Sequence, residues 1–117
     1  MKDESSPVPA PAPLDAVAVF AALGNSMRWQ AMQLMAGGKA ISATDLATAM
    51  QRDFDIASKH LKILRDSGAV GWMSGTDRRL RFYYIPRKYL LATGVVDYGF
   101  CTLKFPATPG FGQMAKD

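Results

Sequence analysis

The chain has 117 residues, 49% of them apolar and 21% charged, a balance suited to one globular domain with a single core. A lone cysteine, Cys101, excludes an internal disulfide or a thiol pair, and no apolar run has the length needed to span a bilayer. The net charge of +4 is unevenly placed: residues 52–88 hold nine Lys and Arg against four Asp and Glu, 1–51 hold three against four, and 89–117 two against two. Clustering of that kind points to an anionic partner, because charge that merely solubilises has no reason to gather.

Residues 1–13 are charged and then rich in Ser, Pro and Ala. They lack the apolar content for a core and are expected to form a disordered leader. With no apolar run after the first charges they do not read as a signal peptide, and the expected location is cytoplasmic.

Asp15 is placed to cap a first helix ending at Leu23, with Val17, Phe20 and Ala21 on one face. Gly24 stops it, and Asn25 caps a second helix over 26–36 whose apolar stripe is Trp29, Met32, Met35 and Ala36. The methionines read as core filling, since Met adapts to irregular gaps. Gly37 and Gly38 form a turn, 39–42 a short strand, and 44–50 a third helix with Leu46, Ala47 and Met50 inward.

Residues 53–68, DFDIASKHLKILRDSG, organise the rest. Ala57, Leu61 and Leu64 recur at i, i+4 and i+7, one stripe facing a core. Asp55, Ser58, Lys59, Lys62 and Arg65 fall on the outward arc, Asp53 stands at the N-cap, and Gly68 supplies a left-handed stop. A hairpin follows, with strands at 70–74 and 80–85 around a Gly75-Thr76-Asp77 turn and Arg78 and Arg79 at the tip. Leu80, Phe82 and Tyr84 share one of its faces; Arg79, Arg81, Tyr83 and Ile85 share the other. Pro86 ends the strand, 87–92 reads as one short helical turn, and 100–105 as an extra strand before an irregular tail.

The fold class that results is mainly α with a small β-sheet. It is a winged helix-turn-helix over 14–92, its helices packed with a two- to three-stranded wing hairpin, and 93–117 form a C-terminal extension. The helix-turn-helix itself covers roughly 43 to 67.

Residues 22 to 85 resemble the arsenic-repressor-like (ArsR-type) winged-helix transcription regulators. The resemblance rests on Ala22-Leu23-Gly24-Asn25-Ser26-Met27-Arg28 at a helix junction and Asp45-Leu46-Ala47 on the next helix. Its most specific part is Ser58-Lys59-His60-Leu61-Lys62-Ile63-Leu64-Arg65-Asp66-Ser67-Gly68-Ala69-Val70. It implies a dimeric repressor of double-stranded DNA, with Arg28 at a position where the family often places an arginine and His60 at one used for packing or phosphate contact. The chain departs from the family after residue 92, where nothing has the helical period of the long final helix that builds many of the family's dimers. A homodimer is therefore expected to use the first helix and the 95–105 segment.

A helix fits the major groove, its N-terminal half reaching base edges while nearby cations neutralise phosphates. Ser58, Lys59 and Lys62 are the base-edge candidates; Arg52, Arg65, Arg78, Arg79 and Arg81 are the phosphate or minor-groove candidates. Phe54 is a candidate for a thymine methyl or for packing on the preceding helix, and Asp55 for cytosine readout or a solvated first-turn acid.

Other chemistry is thin. Aligned on Asp45-Leu46-Ala47, the Cys-x-Cys positions of the family's metal sensors are Ser42 and Thr44, whose hydroxyls do not replace thiolates for soft ions. His60 is the only histidine, so no metal site of the known kinds and no cofactor is expected, the sequence names no effector, and no catalytic constellation or phosphate-cradling glycine loop stands out. The competing class is a winged-helix protein-interaction module, suggested by Asp53 and Asp55 and by the aromatic group Phe82, Tyr83, Tyr84 and Tyr89.

Overall fold

A computed structural model describes residues 14–77 and 79–106. The leader expected at 1–13, the wing-tip residue Arg78 and the tail from 107 lie outside the described residues.

Three helix starts are set by short polar side chains. Asp15 accepts the Val17 N–H at the head of α1 (Ala16–Leu23), and Asn25 accepts those of Met27 and Arg28 at the head of α2 (Ser26–Met35). α3 (Ala43–Met50) opens in a capping box: the Ser42 hydroxyl accepts the Asp45 N–H at 3.1 Å and the Asp45 carboxylate accepts the Ser42 N–H at 2.9 Å. Gln51, at φ 55°, turns the chain into α4 (Phe54–Ser67). Gly68 then ends α4 at φ 90°, where a Cβ would stand 2.6 Å from a Leu14 methyl.

Ala57, Leu61 and Leu64 are fully buried, as their spacing requires. They share one cluster with Val19 and Ala22 of α1, Met32 and Met35 of α2, and Leu46 of α3. Burying each of the Leu, Met and Val side chains in it stabilises by about 1.5–3 kcal/mol, so this cluster is what holds α4 against the other helices.

Four expectations are corrected. The face of α1 carrying Val17, Phe20 and Ala21 points outward, with Val17 76% and Phe20 50% exposed, while Val19, Ala22 and Leu23 enter the core. AVAVFAAL is apolar on every side, so periodicity has nothing to select with. Asp53 stands at the N-cap of α4 but its side chain makes no capping bond; the start is fixed by the left-handed turn at Gln51 and by the Asp53 carbonyl accepting the Ala57 N–H. The strand expected at 39–42 shrinks to one bridge, Ile41 opposite Tyr83, because Ser42 is already committed to capping α3. The helical turn expected over 87–92 stops after the 3-10 turn Arg87–Tyr89, since Leu90–Ala92 is drawn into a sheet.

The wing pairs β1 (Gly71–Ser74) with β2 (Arg81–Tyr84), antiparallel, Trp72 opposite Tyr83 and Ser74 opposite Arg81. Tyr83 and Ile85 are the buried members of their alternation, and the Ile41 bridge ties β2 to the helices through bonds of 2.7 and 2.9 Å. A second antiparallel sheet joins β3 (Leu90–Ala92), β4 (Val95–Asp97) and β5 (Thr102–Lys104).

Gly94 stitches that sheet to α2. Its N–H donates to the Ala36 carbonyl and its own carbonyl accepts from Phe105, both at 2.7 Å. At φ 81° a Cβ there would meet the Phe105 carbonyl oxygen at 2.7 Å, so the position requires glycine. Val96, Tyr98 and Phe105 complete the core, and the Tyr98 hydroxyl donates to the Ala69 carbonyl at 2.7 Å, just beyond the end of α4. The architecture is a winged helix-turn-helix, mainly α, with a small three-stranded sheet added after the wing.

Candidate nucleic-acid interface

With its apolar stripe in the core, α4 turns the opposite arc outward. Lys59 and Lys62 are exposed on that arc, Ser58 is half-buried, and Arg52 and Asp55 are exposed at the helix entrance. The Asp53 carboxylate is exposed there too and unused by the cap. Phe54 is 55% exposed and lies beside Ala43 and Thr44 of α3.

Helix and wing meet in one cleft. Phe54 and Ser58 of α4, Arg79 and Arg81 of the wing, and Thr44 at the start of α3 line a concavity of about 170 Å³. Arg79 stands 91% exposed at the tip, where Asp77 accepts its backbone N–H and lies 3.5 Å from its guanidinium. Arg81 is held differently, its guanidinium 4.4 Å from the centre of the Trp72 ring on the neighbouring strand, a cation–π contact that fixes a long side chain without neutralising it.

Two candidates are less free. Arg65 donates to the adjacent Asp66 carboxylate at 2.8 and 3.2 Å, and its side chain is only 28% exposed. His60 is half-buried beneath the arc, bonded to Arg28 of α2. Its imidazole is held below its ordinary pKa by burial first and then by the Arg28, Lys59 and Arg52 cations, so it stands neutral among bases.

Thr44 is a cleft residue with no candidate role assigned from the sequence. In the sequence it stands out only as a position without a thiolate, whereas in the fold it puts an exposed hydroxyl in the cleft wall. The available signal is its place in the first turn of the leading helix of a helix-turn-helix, next to the phosphates that such a helix crosses. Ser42, the other such position, is spent on the capping box. Of the aromatic group that suggests protein docking, Tyr83 is core and Tyr89 packs on Tyr98 with ring centres 5.0 Å apart.

No protein-family model matches the sequence, and no curated protein does. Solved structures do. HlyU from Vibrio cholerae is similar with a TM-score of 0.53 and 24% identity, over 60% of this chain and 73% of that one. Mb0332 from Mycobacterium bovis gives a TM-score of 0.55 and 26% identity, over 62% of this chain and 65% of that one. Its solution structure is of a homodimeric winged helix-turn-helix DNA-binding domain, described as a possible ArsR-family transcriptional regulator.

Proposed function

We propose that this chain, folded as a winged helix-turn-helix, is a sequence-specific DNA-binding transcription regulator of the ArsR type, acting as a homodimer on a pseudo-palindromic site. The observation that carries the reading is the shared cleft: the base-edge candidates Phe54 and Ser58 and wing arginines Arg79 and Arg81 line a single concavity. A groove-inserted α4 brings a phosphate backbone into that cleft, with Lys59 and Lys62 on the arc turned to the bases and flanking phosphates. Repression follows from occupancy, α4 and the wing together covering promoter DNA that polymerase needs.

Dimer formation is supported by Mb0332 being homodimeric and by the outward apolar face of α1. That face is continuous with the second sheet, since the Phe20 ring meets Phe100 edge to face at 5.4 Å.

The test begins with selection of bound duplexes from a random pool, followed by titration of the selected duplex against salt. A palindromic product is expected, with affinity falling linearly on a log–log plot. Neutralising Lys59, Lys62, Arg78 and Arg79 together should weaken binding and flatten the slope by about 0.9 for each phosphate left without its cation. Unchanged affinity in that variant, or early elution of the native chain from heparin, would favour a protein-interaction module instead.

A further inference from the structure

Behind the wing, on a different surface from the cleft, lies a larger cavity of about 530 Å³. Its apolar wall is Met35 from the end of α2, Met73 from β1, Ile85 just beyond β2, and Leu90 from β3. Lys39 and Arg87 stand on its lining, both exposed, and among the described residues no carboxylate lines it. Neither cation has a salt-bridge partner among the described residues. The volume falls within the range of small-molecule sites, roughly 300–1,000 Å³, and an apolar wall with a few convergent polar groups is what such sites share.

The lining is informative by its asymmetry. An apolar body gains by covering Met73, which is 48% exposed on the outer face of its strand. A single negative charge on that body gains twice, from Lys39 and from Arg87, and meets no repelling acid among the described residues of the lining. A neutral ligand forgoes the second gain, and a cationic one is repelled. We infer that this cavity binds a small amphiphilic organic anion, its apolar body against Met35, Met73, Ile85 and Leu90 and its carboxylate at Lys39 and Arg87. The site uses no residue of the DNA-facing arc, so it stands or falls separately from the regulator reading.

The test is a titration of the full chain, without DNA, by sodium decanoate, 1-decanol and decyltrimethylammonium, each below its micellar range and followed by methyl resonances. Decanoate should bind saturably and shift the Met35, Met73, Ile85 and Leu90 methyls. Decanol should bind roughly tenfold or more weakly, as the loss of charge-assisted hydrogen bonds implies. The double variant Lys39→Ala/Arg87→Ala, changed only at exposed positions, should bind decanoate no better than decanol. An Ala92→Phe substitution, on the exposed edge of the cavity, should block decanoate while leaving the far-ultraviolet spectrum unchanged. Equal affinity for the three probes, no saturable binding of decanoate, or shifts confined to the Val17 and Phe20 face would overturn the assignment.

Discussion

Arg28 donates a hydrogen bond from its guanidinium to Nδ1 of His60 at 2.9 Å, joining α2 to the middle of α4. A guanidinium has no acceptor, so Nδ1 must carry the lone pair and the imidazole proton sits on Nε2. The same guanidinium donates through Nε to the Ala22 carbonyl, one of the orphan carbonyls at the end of α1. One side chain therefore holds three helices in register around the arc that faces outward.

A pH dependence follows. The folded pKa of His60 is depressed, through burial first and then the Arg28, Lys59 and Arg52 cations. Below its ordinary value of 6.5 the unfolded chain takes up a proton that the folded chain resists, so stability is full above that value and is lost as pH falls through the folded pKa. Thermal melts from about pH 8 to about pH 5 should show the native chain losing stability faster than His60→Gln, which keeps an acceptor but does not titrate. Parallel curves for the two proteins would mean that the imidazole is not held neutral by this contact.

The second sheet is anchored by Tyr98, whose hydroxyl donates to the Ala69 carbonyl in a buried setting, and burial pushes its pKa upward. Tyr98→Phe keeps the ring, and with it the packing on Tyr89, but leaves that carbonyl unpaired. The expected cost is about 1–3 kcal/mol in urea unfolding, with affinity for DNA retained by the fraction that stays folded. A cost near zero would indicate that water or a shifted backbone replaces the hydroxyl.

How far the fold is legible in the sequence depends on what kind of force sets each feature. Ala57, Leu61 and Leu64 are readable because one residue type at one spacing has one solution, and the caps at Asp15 and Asn25 because their polar groups satisfy local backbone donors. The orientation of α1 is not, since both its faces are apolar and only contacts distant in sequence choose between them. Three-residue strands such as Val95–Asp97 carry too few alternations to register, and their sheet forms because Gly94 ties it to Ala36. In the candidate site, the residue types of the arc are visible, whereas the cleft that joins Ser58 to Arg79 depends on how the wing folds back.

The cleft allows readout and affinity to be separated. Arg79 at the tip contacts phosphate in the proposed complex, so Arg79→Ala should weaken binding about equally on every sequence and reduce the salt slope by about 1. Ser58 lies among base-edge positions, and Ser58→Ala should leave the slope alone while relaxing preference at one base pair by about 1–3 kcal/mol. Competition binding with single-base variants of the selected duplex distinguishes the two. Identical behaviour of both variants would remove the assignment of separate roles.

The outward face of α1 makes the last prediction. Val17 and Phe20, one turn apart on that helix, are 76% and 50% exposed, and Phe20 is backed by Phe100, itself 39% exposed. A two-fold axis passing beside such a patch lets it cover itself, which is the isologous arrangement of most dimers. Glutamate at Val17 and Phe20 would place like charges across that axis without entering the core, because Val19, Ala22 and Leu23 lie on the other side. Sedimentation should therefore give a dimer for the native chain and a monomer for Val17→Glu/Phe20→Glu, with unchanged helical content. On DNA, the monomer should bind an isolated half-site nearly as well as the native chain does. It should lose the gain from a second half-site one helical turn away, about 10 base pairs, since that gain comes from coupling the two α4 helices through this face. A variant that remains dimeric would move the interface elsewhere, and a native chain that sediments as a monomer would remove the homodimer from the proposal.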